Sequence, residues 1–410
     1  MKMNKNLVDR LYRDLDKISK KRVDEAVDKI IQTKMRGGKV VIVTGSGPNI
    51  HEGVTTLIAE LITKGIVDGV LTSSAVIAHE MAGTLDKVKR VDGRKLGIDK
   101  EILPKGFLFE VTLMDDEILA QIKKEMIINE ELIDKILKEE GKIIIKAAGN
   151  IGYPMGLRTE KLAREAEHFA KSIGRPLEYV VGLGADKRTM IGAAVRKSIP
   201  ALVTVPQLVG GGAVGLAIGD SIPITERSTR VANILREADV IIESAVALTQ
   251  EIHDGPFETY TGHGIWARWK GYETFRLEKK TLIRIDMDPN LEKAWQQERT
   301  SGRIQEAINE GLPKTKLTGI PFRMEMSGFA RLEDTLPIIK DIGIIWPILA
   351  KKVTEKLRIE LEFISYPQET SEGKEIREWI VKNIKPINRE KMIYNLRRHF
   401  SENKEEFQCE

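Results

Sequence analysis

The sequence has a single cysteine, Cys409, among its 410 residues. One thiol cannot form a disulfide within the chain, and it excludes a metal site built from cysteines and a CxxC redox motif. Disulfide-free chains are typical of reducing compartments, so we expect a cytoplasmic protein.

Strong net charge and long apolar runs are also missing. The 65 Lys and Arg residues nearly balance the 61 Asp and Glu residues, for a net charge of +4. A nucleic-acid-binding surface needs clustered basic residues, so we expect no nucleic-acid partner. No apolar run approaches the roughly 18 residues that a membrane span needs, and no apolar signal segment opens the sequence, so we expect no membrane association.

What remains is the composition of an ordinary globular enzyme, with 41% hydrophobic and 31% charged residues. A chain of this length exceeds one typical domain. We expect N-terminal helices over residues 1–36 that pack on the core or at a subunit interface. An α/β domain should follow over residues 37–300, and a smaller α+β addition with a helical tail over residues 301–410.

Residues 39–80 carry the strongest pattern. It consists of an apolar run, a Gly/Pro turn, an amphipathic segment and a second apolar run, at Val40–Val43, Gly45–Asn49, Val54–Lys64 and Val67–Leu71. This order predicts strand, helix, strand. The carboxyl ends of parallel neighbours lie on one edge of a sheet. The turn at Gly45 and the Ser/Thr turn at Thr72 should therefore lie side by side, where open α/β sheets bind ligands.

This stretch resembles the NAD-binding region of deoxyhypusine synthase. The segment GPNIHEG (Gly47–Gly53) matches the first turn of that family, and Val67-Asp68 matches its strand entry. The segment TSSAVIAHE (Thr72–Glu80) matches the second turn and acidic cluster. Ala75 and Val76 stand where the family has paired glycines, and His79 replaces an acid.

The resemblance covers about residues 39–295 and implies a Rossmann-like, NAD-binding fold. It also implies a homo-oligomer, because the family works as a homotetramer; we expect a dimer or tetramer. The family transfers a butylamine group from spermidine to a protein lysine. For this chain we expect a transferase or oxidoreductase that acts on a small amine or acid.

Further strand candidates support a doubly wound, mostly parallel sheet, because Gly, Ser or Asn turns and helices follow them. They are Lys142–Ala148, Leu177–Leu183, Ala201–Val205, Val240–Ile242 and Thr281–Ile285. In the C-terminal part, the pattern predicts a helix near Glu333–Lys340 and a β-patterned run over Arg358–Tyr366.

Turn residues after these strands are the candidate cofactor ligands, since glycine lets the backbone approach a phosphate and hydroxyls can bind it. They are Gly45, Ser46, Gly47, Asn49, Thr72, Ser73, Ser74, Gly182, Gly184, Asp186, Gly210, Gly211, Gly212, Asp220 and Glu243. The turns at Gly182 and Gly210 could equally be tight turns with no ligand. The Glu243 carboxylate could bind ribose hydroxyls or repel a pyrophosphate.

Residues 251–270 form the densest polar segment, with Glu251, His253, Asp254 and His263 among its members. These side chains could hold a divalent metal or form a solvated loop. The resemblance implies another role for Lys270, which follows Trp269 as the catalytic lysine of the family follows a Trp-Gly pair. Lys270 could form an imine with substrate.

Three hypotheses remain open from the sequence. The first is an enzyme that binds NAD or another phosphate-bearing ligand and performs redox or imine chemistry with His79, Glu80, His263 or Lys270. The second is a metal-dependent enzyme without a dinucleotide that uses the 251–263 segment. The third is a ligand-binding protein without catalysis, suggested by the replaced glycines.

Overall fold

The computed structural model describes most of the chain: residues 3–45, 47–149, 154–203, 208–244, 270, 277, 279–322 and 324–402. The strands of this part are β1 (Val40–Thr44), β2 (Gly69–Thr72), β3 (Leu85–Asp92), β4 (Leu108–Thr112), β5 (Lys142–Ala147), β6 (Ala201–Val203), β7 (Val240–Ser244), β8 (Thr281–Asp286) and β9 (Thr335–Ile339).

Six of these strands form one parallel sheet in the order β6-β2-β1-β7-β8-β9. Counted along the chain within this sheet, the order is 3-2-1-4-5-6, which is the order of dinucleotide-binding doubly wound folds. The strand order reverses between β1 and β7. Val43 of β1 pairs with Leu71 of β2 on one side and with Glu243 of β7 on the other. The α/β class with a mostly parallel sheet, predicted from the sequence, is confirmed.

The helices cover both faces of this sheet. They are α1 (Lys5–Arg13), α2 (Lys17–Met35), α3 (Gly47–His51), α4 (Val54–Thr63), α5 (Ser74–Ala82), α6 (Asp116–Glu125), α7 (Glu130–Lys138), α8 (Pro154–Ile173), α9 (Leu177–Gly184), α10 (Met190–Arg196), α11 (Leu208–Ser221), α12 (Ile224–Glu237), α13 (Pro289–Ser301), α14 (Arg303–Asn309), α15 (Lys314–Thr318), α16 (Met324–Arg331), α17 (Ile342–Leu357), α18 (Ser371–Asn383) and α19 (Arg389–Glu402). None of the helices in the described ranges combines the length and apolar character that crossing a membrane requires.

Alternation along β1 directs successive side chains into two separate cores. Ile42 is buried against α2, α4 and α17 on one face. Val41 is buried against α12, α13 and α16 on the other face. Because both faces are covered, the central strands are continuous β-branched runs with no polar alternation. This explains why the 40–43 and 240–242 runs were recognisable as strands.

A smaller antiparallel sheet, ordered β4-β3-β5, is inserted between β2 and β6. Lys142–Ala148 was predicted as a strand of the parallel sheet, and this placement is wrong, because β5 pairs with β3 instead. The pairing of β5 with β3 extends by one further bond, from the backbone NH of Ala148 to Thr84 O at the end of α5.

Three secondary-structure predictions are wrong. Leu177–Leu183, predicted as a strand, is helix α9, which begins after Pro176 and is buried. A short apolar run does not distinguish a buried helix from a strand. The predicted helix near Glu333–Lys340 is the edge strand β9, where Pro337 is tolerated because an edge lacks one set of ladder bonds. Residues 358–366 contain no strand.

The terminal parts of the chain pack on the same sheet. Helix α2 lies against α17 and β9, and α1 lies against α17. Strand β9, within the segment 301–410, pairs with β8 in the main sheet. The division of the chain at residues 36 and 300 stays a prediction.

Candidate functional site

The carboxyl ends of β1 and β2 lie next to each other, as predicted. Strand β1 continues through Gly45 into the short helix α3, and β2 continues through Ser73 into α5. Ser73 is the N-cap of α5, and its side chain accepts a hydrogen bond from Val76 NH at 3.3 Å. A cap of this kind satisfies one of the free backbone NH groups of the helix end.

An open space lies beside the first of these turns. A Cβ added at Gly47 would meet, among the described residues, only Cδ2 of His51, at 3.8 Å. No other described residue covers the backbone of the turn on this side, so a ligand could approach it closely.

Asn49, a predicted cofactor ligand, connects β1 with β7. Its amide donates to Gly45 O at 2.6 Å and to Ser244 O at 3.3 Å. Its carbonyl accepts from Ser244 Oγ at 2.8 Å, and Ser244 Oγ accepts from Trp346 Nε1 at 2.8 Å. Asn49 thus links β1 to β7, the two strands between which the order reverses.

Two buried threonine hydroxyls lie at the same edge of the sheet. Thr44 and Thr72 stand one residue beyond the paired Val43 and Leu71. Both side chains are fully buried, and neither hydroxyl has a hydrogen-bond partner among the described residues. Because an unpaired buried hydroxyl costs about 1–3 kcal/mol, such groups mark places where a ligand or water can bind.

His79 of α5 lies behind this edge, against the end of β5. Its Nδ1 is 2.5 Å from Ala148 O, so Nδ1 carries the proton and donates it to the carbonyl. Burial lowers the pKa of His79 despite this hydrogen bond. The ring is therefore neutral at neutral pH and keeps a lone pair on Nε2, the state that a general base requires.

His51 and Arg377 meet beside the same turn. The Arg377 guanidinium contacts His51 Nδ1 at 3.4 Å and donates to Ile145 O at 2.5 Å. Burial, and then the neighbouring basic groups Arg377, His79 and Lys146, lower the pKa of His51. Helices α3, α5 and α18 and the end of β5 thus bring these side chains together.

Glu80, predicted as catalytic, is buried and accepts hydrogen bonds from the start of α10. Its carboxylate accepts hydrogen bonds from Met190 NH at 2.8 Å and Ile191 NH at 3.1 Å. It is fully buried and satisfies the N-terminus of α10. Burial raises the pKa of Glu80 to about 7 although both hydrogen bonds favour the charged form.

Gly182 and Gly184 do not follow a strand, so the prediction of a glycine turn after a strand is wrong at these residues. Both lie in helix α9. A Cβ on Gly182 would meet Val195 Cγ2 at 2.5 Å, and one on Gly184 would meet Asn388 O at 2.6 Å. These glycines are required because α10 and the segment before α19 pack closely against α9.

The carboxylate of Asp186 is hydrogen-bonded to other residues of the chain. Its carboxylate accepts hydrogen bonds from the side chain of Arg188 at 2.8 and 2.7 Å and from Lys385 NH at 3.2 Å. Burial acts to raise the pKa of Asp186, but the Arg188 hydrogen bonds outweigh it, and the pKa lies below its ordinary value. Asp186 therefore stabilises the loop before α10.

The three glycines after β6 begin a helix. Gly210, Gly211 and Gly212 lie within α11, and Gly212 has a left-handed φ of 52° that interrupts it. Asp220 is exposed near the other end of this helix, about 12 Å along the axis from Gly212. The structure thus separates Asp220 from the glycines with which the sequence grouped it.

Glu243, the penultimate residue of β7, lies next to a buried arginine. Its carboxylate lies 3.8 Å from Arg284 of β8, and Arg284 lies 3.4 Å from Asp286. All three side chains are buried. Arg284 offsets part of the negative charge that could repel a phosphate at this edge.

Several predicted residues cannot be placed. Ser46, His263 and the segment 251–263 lie outside the described residues. Lys270 is exposed in a turn. Within the described ranges, no group of three or more His, Cys, Asp or Glu side chains could hold a metal ion.

Sequence reasoning missed Thr44, His51 and Arg377. His51 follows Gly47 by one helical turn inside the recognised segment, and this spacing was a usable signal. Arg377 comes 326 residues after its partner His51, so no local pattern could reveal it.

Comparisons with known proteins add resemblances of fold at low identity. ArgZ, an arginine dihydrolase from the ornithine-ammonia cycle in cyanobacteria, has a TM-score of 0.41 and 12% identity, with 82% of this chain and 31% of that chain covered. AgrE in complex with ornithine and NAD+ has a TM-score of 0.39 and 14% identity, with 84% and 34% covered. This chain therefore spans about a third of these two proteins.

A protein from Entamoeba histolytica provisionally assigned as a deoxyhypusine synthase has a TM-score of 0.39 and 10% identity, with 88% of this chain and 97% of that chain covered. No protein-family model matches the sequence, and no curated protein matches it.

Proposed function

We propose that this protein is an enzyme that binds NAD, or another ligand with a phosphate group, at the carboxyl ends of β1, β2 and β7. The observation that carries the proposal is the strand order, which reverses between β1 and β7. In open α/β sheets with this order, ligands bind outside the carboxyl ends of the strands at the reversal.

The residues at this edge fit a dinucleotide or a similar ligand. Only His51 lies near the Gly47 backbone within the described part of the chain, which leaves room for an oxygen-rich group to approach its amides. Thr44 and Thr72 supply two buried hydroxyls that lack partners among the described residues. Bound NAD would supply a hydride acceptor, and the lone pair on His79 Nε2 would take a proton from a small amine or hydroxy acid.

The proposal includes a homo-oligomeric assembly, as the resemblance to deoxyhypusine synthase implies. It also includes Lys270 as a candidate amine for covalent chemistry with a carbonyl intermediate. Both parts can fail without affecting the ligand site. Light scattering tests the assembly, and borohydride trapping of substrate on Lys270 tests the covalent step.

Thermal unfolding in the presence of candidate ligands tests the proposal. NAD+ in excess over its Kd should raise the Tm, because a ligand that binds only the folded state stabilises it. Gly47→Ala should keep most of this increase, and Gly47→Leu should lose it, because the longer side chain fills the open space. No increase with NAD+, NADP+, ADP or phosphate would reject the proposal.

A further inference from the structure

Arg377 and His51 form a cationic pair that neither the sequence patterns nor the comparisons assign to a role. Arg377 lies on α18, and His51 is the last residue of α3. Their nitrogens are 3.4 Å apart, so the guanidinium donates and His51 Nδ1 accepts. His51 in this arrangement is neutral and carries its proton on Nε2.

Other basic side chains lie close to the pair. His79 and Lys146 face His51 and lower its pKa together with Arg377, after burial. Lys146 also forms an ion pair with Glu110, at 2.8 Å. Glu52 and Glu378 face Arg377, but burial raises the pKa of Glu52 to about 7, so Glu52 is only partly charged at neutral pH.

The Arg377 guanidinium has unused hydrogen-bonding capacity. One of its terminal nitrogens donates to Ile145 O and to His51. Its Nε is buried and has no hydrogen-bond partner among the described residues. The side chain of Arg377 as a whole is only half-buried, and a planar guanidinium can bind two oxygens of one phosphate with parallel hydrogen bonds.

We infer that Arg377 and His51 form a phosphate-binding subsite beside the open turn at Gly47. The inference rests on the proposed function and names the part of that site that holds the anion. His51 connects the two features, because its ring lies 3.8 Å from the position of a Cβ on Gly47 and contacts Arg377 on its other side. A phosphate above the turn meets His51 Nε2–H and, next to it, the guanidinium.

Calorimetric titration of the full-length protein with inorganic pyrophosphate tests this subsite. We compare wild type, Arg377→Gln, Arg377→Lys and His51→Gln with the control Arg164→Gln, an exposed arginine on α8. Arg377→Gln should weaken binding about tenfold or more, because a charge-assisted hydrogen bond is lost. Arg377→Lys should recover part of the loss, and Arg164→Gln should bind like wild type.

The pH dependence separates binding from mere structural support. Lowering the pH favours the protonated, positively charged form of His51, so pyrophosphate binding by wild type should tighten relative to His51→Gln, in which only the ligand and the other groups titrate. His51→Gln should reduce this dependence. Arg377 also holds Ile145 O, so Arg377→Gln could unfold the protein; the lysine and His51 variants then decide the outcome.

Each outcome is decisive for the subsite. Loss of pyrophosphate binding in the folded His51 or Arg377 variants supports it. Wild-type affinity in those variants, or no pyrophosphate binding by wild type, overturns it. If NAD+ still stabilises the wild-type protein in the latter cases, the proposed function stands and only the placement of its phosphate is wrong.

Discussion

Asn49 and Ser244 hydrogen-bond to each other across the ends of β1 and β7, with Ser244 Oγ 2.8 Å from Asn49 Oδ1. The two residues are 195 positions apart in the chain, and both are fully buried. The bond fixes the two strands where the sheet order reverses. This side-chain bond adds to the backbone ladder between β1 and β7 at the edge where the proposed ligand site lies.

We predict that Ser244→Ala and Asn49→Ala are not additive. Ser244→Ala leaves Asn49 Oδ1 and Trp346 Nε1 without their bonds, which should lower the free energy of unfolding by about 1–3 kcal/mol. Asn49→Ala should cost at least as much. Urea unfolding of both single variants and the double variant measures this. Simple addition of the two losses would show that the pair is not coupled.

Thr72→Val should have opposite effects on folding and on ligand binding. Valine has nearly the same shape, and the Thr72 hydroxyl has no partner among the described residues, so the ligand-free protein should keep its stability or gain up to about 1 kcal/mol. The variant should bind NAD+ more weakly. Urea unfolding gives the first quantity and titration the second. A destabilised variant with unchanged binding would contradict the assignment.

Glu80 should make stability fall as pH rises. Its pKa is about 7 in the folded protein and about 4.5 ordinarily, so the folded state retains a proton that the unfolded chain has lost between those values. The contribution of Glu80 to the free energy of unfolding is fully present below pH 4.5 and is lost as the pH rises past 7. Between pH 5 and 8, Glu80→Gln should abolish a decline of about 2.5 kcal/mol contributed by this residue.

Controls isolate this effect from other buried acids. Burial also raises the pKa of Glu52 to about 7 and that of Asp86 to about 6, so the wild-type decline has several sources. Glu101→Gln, at an exposed position, should leave the decline unchanged. Urea unfolding at pH 5 and pH 8 measures it. The same decline in Glu80→Gln as in wild type would contradict the prediction.

Two glycine substitutions should separate a packing glycine from a site glycine. Gly182→Ala should lower the free energy of unfolding by about 2 kcal/mol or more, because its Cβ would approach Val195 Cγ2 to 2.5 Å and Ile191 O to 2.8 Å. Gly47→Ala has room and should cost under about 1 kcal/mol. Thermal unfolding compares the two; equal losses would mean that the space at Gly47 is occupied.

The first strand-helix-strand unit could be predicted because its signals are local. Val40–Val43 is a buried β-branched run, and a Gly/Asn turn ends it before the apolar face of α4. The pairing of β1 with β7 brings together positions about 200 residues apart, and no local pattern encodes such a neighbour. The strand order, and with it the position of the reversal, therefore had to come from the structure.

The errors have specific physical reasons. Leu177–Leu183 is buried almost throughout, including Glu178, because α9 packs among other helices, and this removes the periodicity that distinguishes a helix from a strand. The role of Glu80 as the cap of α10 was not visible either, because a buried helix cap and an active-site carboxylate look the same in sequence. Arg377 was missed because only folding brings α18 to α3.

Calorimetric titration of the full-length protein with NAD+, for wild type and Gly47→Leu in parallel, tests the central claim most directly. We predict that wild type binds NAD+ with one site per chain and that Gly47→Leu, folded with an unchanged Tm, does not bind it. Equal affinity of the two proteins for NAD+ would place the ligand elsewhere and contradict the account.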